Sequence, residues 1–203
     1  SRFFNNYSIM NAIITLPLVP LRESDTERSE LYSQLLFGER LEILETRVRW
    51  FFIRNMNDNY RGWVDRKMVE VLSTEEEERI DKAPKQPVQI PIMNFRNAIT
   101  SEKMYLPGGS LIRPEKPGEC IIGNDTFLFD SSELDTLGDV TGSKLVRLAQ
   151  QYLNAPYLWG GKSIMGIDCS GLVQVVFAIG GIQLDRDASE QVKQGESVNF
   201  LSE

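Results

Sequence analysis

The chain has 203 residues, of which 41% are apolar and 25% charged, an ordinary globular composition with room for two or three small domains. The formal net charge of −7 argues against a nucleic-acid partner, because binding a polyanion normally requires a basic excess on some domain. No apolar run approaches the roughly 20 residues of a membrane span, and the first residues do not open a signal sequence.

The first 73 residues alternate short apolar runs with turns. Gly38 and the Asn57-Asp58-Asn59 run supply turn chemistry, while Leu41 and Ile43 alternate with charged neighbours as in a half-buried strand. Strand spacing this tight predicts a small β-barrel over residues 1–73. The predicted strands cover residues 13–19, 34–37, 41–44, 48–54, 62–64 and 69–72.

Residues 74–87 interrupt this pattern with an acidic run followed by two prolines and two lysines. This composition predicts a solvated linker with at most one helical turn. Residues 88–140 are again β-like, with Pro-Gly turns between short apolar runs, and predict a second small β domain with a structural role.

Helical spacing begins at Thr141, which is a candidate N-cap together with Ser143. Pro156 ends this segment, a glycine-rich loop follows, and a second helix starts near Cys169 and ends at a pair of glycines. Cys169 is therefore expected at a helix N-terminus, where unpaired N–H groups and the helix dipole favour the thiolate. The neighbouring Asp168 opposes this effect.

The counts of cysteine and histidine limit the chemistry. The chain contains no histidine, which excludes a histidine-containing metal site, a Ser-His-Asp triad and a complete Cys-His pair within these residues, so we expect no metal and no cofactor. Cys120 lies in the second β domain without a nearby catalytic partner in sequence, and is expected to be a buried bystander rather than half of a disulfide.

Three motifs occur in order in the last third of the chain: Tyr-x-Trp-Gly-Gly at 157–161, Asp-Cys-Ser-Gly at 168–171 and Arg-Asp-Ala-Ser at 186–189. In order and spacing they resemble the NlpC/P60 family of cysteine peptidases, over residues 141–203. The upstream β domains resemble the bacterial SH3-like domains of the family's γ-D-glutamyl-L-diamino acid endopeptidase branch. The resemblance implies an α+β chain: two SH3-like β-barrels, then the N-terminal half of a papain-like domain.

The same resemblance implies the roles of several residues. Cys169 would attack the carbonyl between D-Glu and the diamino acid of peptidoglycan peptides, with the Tyr157 hydroxyl helping to stabilise the oxyanion. Trp159 would wall the substrate pocket, and the cleft would be lined by Asp168, Ser170 and Asp187. Simpler roles stay open: a packed aromatic for Tyr157, a core residue for Trp159 and a helix N-cap for Asp168.

In this branch the first SH3-like domain leans over the cleft and contributes an acidic residue and a tyrosine. By resemblance these would be Glu39, after Gln34-Leu35-Leu36-Phe37-Gly38, and Tyr60, before Gly62-Trp63-Val64. The partner would be a peptidoglycan-derived peptide, L-Ala-γ-D-Glu-diamino acid. The alternative for Glu39 is an ordinary solvated side chain beside a turn.

The family's histidine lies on a strand downstream of the nucleophile, and the sequence ends at residues 198–203 where that region would follow. We therefore expect a chain that stops before its base and is inactive alone. A non-catalytic protein that binds wall peptides is the alternative function, and an acyltransferase or amidase on the same fold stays open. The location favoured is the cell envelope or the exterior, with the cytoplasm open.

Overall fold

A computed structural model describes residues 10–122, 125–134 and 138–198. The first β unit, residues 10–73, is a seven-stranded sheet in the order β3-β2-β6-β5-β4-β1-β7. Its core is a cluster of buried aliphatic and aromatic side chains, of which Leu41 and Ile43 belong to the predicted alternating strand. The strands are β1 Met10–Ile13, β2 Leu18–Arg22, β3 Leu31–Leu36, β4 Arg40–Thr46, β5 Trp50–Asn55, β6 Arg61–Asp65 and β7 Glu70–Val71.

The single strand predicted over 13–19 is wrong, because β1 ends at Ile13 and β2 begins at Leu18. Between them, Ile14 bonds to the turn that joins β3 to β4. Its N–H donates to the Glu39 carbonyl at 3.0 Å, and its carbonyl accepts from the Gly38 N–H at 2.8 Å. Gly38 has φ +80°, a left-handed conformation that favours glycine.

Helix α1, Thr74–Lys82, occupies most of the segment for which the sequence predicts a solvated linker. Ser73 and Glu76 form a reciprocal capping box at its start. Ile80 is buried in the core of the second β unit, and the buried Arg40 of β4 pairs with Glu77 at 3.4 Å and with Asp81. The acidic run is thus part of a helix that packs against the second β unit and forms ion pairs with the first.

The second β unit, residues 86–134, has a five-stranded sheet in the order β10-β9-β14-β13-β12, with β8 paired to β11 beside it. Phe37, from the first unit, packs against Phe95 and Phe127 with ring centroids 5.5 and 6.1 Å apart. Cys120 is a free, fully buried thiol in this shared core, as predicted. The strands are β8 Gln86–Pro87, β9 Ile92–Asn97, β10 Lys103–Pro107, β11 Leu111–Ile112, β12 Pro114–Lys116, β13 Glu119–Ile122 and β14 Asp125–Phe129.

The C-terminal unit, residues 138–198, contains the two predicted helices. Thr141 caps α2, with its hydroxyl accepting from the Lys144 N–H, so Ser143 is not the cap. The elements are α2 Gly142–Gln150, β15 Lys162–Ser163, β16 Gly166–Ile167, α3 Cys169–Ile179 and α4 Ala188–Gln191. No helix in residues 10–122, 125–134 and 138–198 is long and apolar enough to cross a membrane.

Candidate active site

A cleft of about 650 Å³ lies between the first β unit and the C-terminal unit. Every predicted site residue except Glu39 lines it. The first β unit contributes Glu30, Tyr32, Tyr60 and Arg61, and the C-terminal unit contributes Tyr157, Trp159, Asp168, Cys169, Ser170, Arg186, Asp187 and Ala188.

Cys169 is exposed to this cleft and is the first residue of α3, as the sequence predicts. Asp168 caps the helix: its Oδ1 accepts from the Gly171 N–H at 2.7 Å. Its Oδ2 accepts from the Gly160 N–H at 2.8 Å, which ties the glycine-rich loop to the helix start. Gly160 has φ +78°, and a Cβ there would come within 2.5 Å of the Leu31 carbonyl oxygen.

Arg186 is 2% exposed and reaches both flanks of the nucleophile. Its Nη2 donates to Asp168 Oδ2 at 2.7 Å, and its Nη1 donates to Ser170 Oγ at 2.7 Å. Its Nε donates to Ser33 Oγ of β3 at 3.0 Å. Burial alone would raise the pKa of Asp168, but the Arg186 guanidinium and the Gly171 and Gly160 N–H groups together hold that pKa below its usual value.

Besides the bond from Arg186 to Ser33, two hydrogen bonds between cleft-lining side chains join the first β unit to the C-terminal unit. The Tyr60 hydroxyl donates to Asp187 Oδ1 at 3.0 Å, and the indole N–H of Trp159 donates to Glu30 Oε1 at 2.8 Å. Burial, followed by the charge of Asp187, raises the pKa of Tyr60, so its hydroxyl stays protonated and able to donate. The orientation of the Asp187 carboxylate is thus fixed by a hydrogen bond from Tyr60, a residue of the first β unit.

Tyr157 is 68% exposed and forms an isolated parallel bridge with Ile167, two residues before Cys169. Its ring stands in the cleft rather than packed behind the helix, which disfavours the packed-aromatic alternative. Trp159, 62% exposed, is likewise a wall of the cleft and not a core residue. For Asp168 the helix N-cap alternative is correct, and it coexists with a place at the cleft.

Glu39 does not line the cleft, although the resemblance predicts that it contacts substrate there. The side chain is 5% exposed and pairs with the buried Lys162 of β15, with 3.5 Å between Oε1 and Nζ. Its other oxygen accepts from the Leu36 N–H at 2.9 Å and from the Asn55 amide at 3.1 Å. Glu39 therefore fastens the first β unit to the C-terminal unit.

The acidic residue that the first β unit places in the cleft is Glu30. Sequence reasoning missed it because Glu30 is one of several acids in residues 23–30, and nothing in the sequence distinguishes the one that faces the cleft. Tyr32 and Arg61 were missed because nothing in the sequence distinguishes them from the other tyrosines and arginines of the first β unit. Arg186 was visible in the Arg-Asp-Ala-Ser motif, but its burial against Asp168 was not.

The described ranges contain no group of three or more His, Cys, Asp or Glu side chains that could hold a metal ion. The site as described is therefore built from a thiol, hydroxyls, carboxylates and guanidinium groups. The predicted end of the chain at residues 199–203 lies outside the described residues.

Two family models match the chain. The model of the NlpC/P60 family matches residues 154–202, and that of the bacterial dipeptidyl-peptidase SH3 domain matches residues 21–68. Residues 154–202 and 21–68 thus match the NlpC/P60 and SH3-like families that the sequence resembles, and the predicted α+β fold class is confirmed. The SH3-like character of the second β unit remains a prediction. The predicted domain boundaries and the roles of the site residues remain predictions.

Relatives and solved structures agree with these matches. The chain is 24% identical to the gamma-D-glutamyl-L-lysine dipeptidyl-peptidase of Bacillus subtilis over 186 residues, which cover 83% of this chain and 60% of that relative. It is 26% identical to dipeptidyl-peptidase 6 of Lysinibacillus sphaericus over 202 residues, which cover 88% and 73%. The crystal structure of an NlpC/P60 family protein from Bacillus cereus superposes with a TM-score of 0.82 at 16% identity, covering 94% of this chain and 79% of the other. The chain spans less than two thirds of the Bacillus subtilis relative.

Proposed function

We propose that this chain, an NlpC/P60 segment preceded by a bacterial dipeptidyl-peptidase SH3 domain, is the nucleophile-bearing and peptide-binding part of a cysteine peptidase. Its substrates are peptidoglycan stem or turnover peptides of the type L-Ala-γ-D-Glu-diamino acid. The bond cut is the one between D-Glu and the diamino acid. Cys169 is the nucleophile, and its base is a histidine from outside these 203 residues, which contain none.

The observation that carries this proposal is the exposed thiol at the start of α3, inside a cleft that a second unit partly covers. The N–H groups of a helix start favour a negative charge, and the thiolate is the reactive form of cysteine. The other free cysteine, Cys120, is fully buried and cannot meet a peptide.

The geometry supports a two-step acyl transfer. The base takes the proton of the Cys169 thiol, and the thiolate attacks the γ-carbonyl carbon of D-Glu. The C–N bond to the diamino acid then breaks as its nitrogen takes that proton back from the protonated base. Water then attacks the thioester, which releases the acyl peptide and returns the thiol. Tyr157, exposed in the cleft beside Cys169, is the hydroxyl donor for the transient oxyanion.

The first β unit supplies selectivity for short peptides. Glu30 lies across the cleft from Cys169, and its carboxylate pairs with the free ammonium group of L-Ala. Trp159, hydrogen-bonded to Glu30, and Tyr60, hydrogen-bonded to Asp187, limit the room beyond this group. A peptide whose N-terminus is blocked or extended loses the ion pair and leaves Glu30 without its partner.

The test is hydrolysis of L-Ala-γ-D-Glu-L-Lys by the complete gene product, followed by mass spectrometry of released L-Ala-D-Glu. Cys169→Ala should lower turnover by several orders of magnitude, whereas Cys120→Ala should leave it unchanged. N-acetylation of the peptide should reduce kcat/KM for the unmodified protein far more than for Glu30→Gln. No turnover by the complete protein, or turnover that survives Cys169→Ala, would disprove the proposal.

A protein that binds wall peptides without cutting them is the second candidate, and the absence of histidine from the 203 residues favours it. Calorimetric titration of the chain with the same peptide separates the two. A binder should hold the peptide equally well with Cys169→Ala and lose it with Glu30→Gln, and its complete gene product should release no L-Ala-D-Glu.

We place the protein in the cell envelope or outside the cell, where peptidoglycan peptides are produced. Fractionation of cells that express the complete gene product tests this location. Recovery of the protein with cytoplasmic markers would instead make it an enzyme of imported turnover peptides.

A further inference from the structure

We infer that Arg186 is a positioning residue that holds Cys169 reactive by neutralising Asp168 and by tying the start of α3 to the first β unit. This inference rests on the proposed role of Cys169 as a nucleophile. It concerns the reactivity of the thiol itself, which is measurable without a substrate or a base. Three features of the structure carry it.

The first feature is that every nitrogen of the Arg186 guanidinium donates a hydrogen bond. Its three nitrogens each donate to a side-chain oxygen, on Asp168, Ser170 and Ser33. Among the described residues, the buried Nε atoms of three other arginines, Arg22, Arg40 and Arg113, have no hydrogen-bond partner. Arg186 is 2% exposed, and every one of its guanidinium nitrogens is hydrogen-bonded to a side chain, two of them to the residues that flank Cys169, which indicates a role in positioning the start of α3.

The second feature is the charge beside the nucleophile. A carboxylate next to Cys169 disfavours the thiolate, which opposes the effect of the helix start. Arg186 Nη2, at 2.7 Å from Asp168 Oδ2, makes the two groups a neutral pair and leaves the helix dipole to act. Asp168 can then cap α3 through the Gly171 N–H without penalising the thiolate. The other charged or titratable groups that line the cleft are Glu30, Tyr32, Tyr60, Arg61, Tyr157 and Asp187.

The third feature is the bond to the first β unit. Ser33 lies in β3 and is 3% exposed, and its Oγ accepts from Arg186 Nε at 3.0 Å. Arg186 therefore contacts both flanks of Cys169 and the neighbouring unit with one rigid group. Because a guanidinium is planar and rigid, a shift of the first β unit would rotate it through the bond to Ser33. That rotation would change its hydrogen bonds to Asp168 and Ser170. The reactivity of the thiol depends on how the two units dock.

The experiment is alkylation of the 203-residue chain by iodoacetamide across a pH series, with the sites of labelling read by mass spectrometry. Labelling of Cys169 reports the thiolate, and protection of the buried Cys120 reports that the fold is intact. Arg186→Met should make alkylation of Cys169 roughly tenfold slower at pH values below the midpoint of the pH series and move that midpoint upward. The exposed Arg147→Met, on α2, is the matched control and should leave the midpoint in place.

Removal of the carboxylate distinguishes charge from structure. The double variant Asp168→Asn with Arg186→Met should return the midpoint close to that of the unmodified chain, because asparagine still caps a helix but carries no charge. Asp168→Asn alone should lower the midpoint, since Arg186 then acts on the thiolate without a counter-ion. Arg186→Lys keeps the positive charge, so its midpoint should lie close to that of the unmodified chain and well below that of Arg186→Met.

Several results would overturn the inference. One is an Arg186→Met chain with Cys120 protected that alkylates like the unmodified chain at every pH. Another is a double variant that stays as slow as Arg186→Met, which would make Arg186 a purely structural residue. If Arg186→Met exposes Cys120, that variant is not correctly folded, and Asp168→Asn becomes the test. An alkylation midpoint of Asp168→Asn equal to that of the unmodified chain would refute the role of charge. None of these readouts requires peptide hydrolysis, so they stand apart from the test of the proposed function.

Discussion

Lys162→Met should destabilise the chain strongly, and more so at high pH. The Lys162 ammonium lies 3.5 Å from a Glu39 carboxyl oxygen, with both side chains buried. At an effective dielectric constant of about 20 their attraction is about 5 kcal/mol, offset in part by desolvation. Removing Lys162 leaves the buried Glu39 carboxylate without its counter-ion, for which the usual cost is about 3–5 kcal/mol.

The pH dependence follows from Glu39. Burial raises the pKa of Glu39 from its usual 4.5, although the Lys162 ammonium counteracts this. A carboxyl whose pKa is raised in the folded state binds its proton more tightly there, so folding is favoured at low pH and weakened as pH rises through the folded-state pKa. Without Lys162 that pKa rises further. The deficit of the variant should therefore be large at about pH 8 and shrink toward about pH 5.

Urea unfolding at the two pH values measures the loss of stability in Lys162→Met, from the midpoint and slope of each transition. Glu39→Gln combined with Lys162→Met is the matched control, because it removes both charges and should recover most of the lost stability at about pH 8. Lys82→Met, in the exposed pair with Glu78, should change the midpoint little. A Lys162→Met deficit that is equal at both pH values would refute the role assigned to Glu39.

Three other predictions concern local packing. A thiol reagent should titrate one cysteine in the folded chain and two in denaturant, because Cys169 is exposed and Cys120 is 0% exposed; two equivalents in the folded chain would contradict the shared core. Gly171→Ala should lower the urea midpoint, since its Cβ would lie 2.2 Å from the Gly161 carbonyl oxygen, whereas Gly142→Ala in α2 meets nothing within 4 Å and should raise it slightly. Ile80→Ala should cost about 2–4 kcal/mol in the same assay, and a neutral result would mean that α1 is not part of the core.

The sequence was most informative where chemistry and local geometry coincide. Cys169 could be placed at a helix start because apolar spacing, the glycines and the residue before it all indicate the same boundary. The placement of Tyr157 and Trp159 in the cleft came instead from the resemblance of their motif to that of the NlpC/P60 family. Local signals of this kind are contained in a few consecutive residues.

What the sequence could not supply is the choice among equivalent side chains. Glu30 and Glu39 are both acids beside turns of the first β unit, but one faces the cleft and the other is buried on Lys162. The alternation of apolar and polar residues around Glu30 and Glu39 is compatible with a cleft position for either acid. Which of the two faces the cleft depends on how the C-terminal unit docks. Helix α1 was missed because its partners lie far away in sequence: Ile80 packs into the core that the two β units share, and Glu77 pairs with Arg40 of β4.

Phe37 bears on how proteins of this kind exchange modules. The ring belongs to a turn of the first β unit but completes the interior of the second. Moving the first β unit alone into another protein would expose the Phe37 ring to solvent. The second β unit left behind would have a cavity where that ring had packed. The two β units and α1 between them therefore share one core, and a chimeric protein that keeps this core intact should be joined after residue 134 rather than after residue 73.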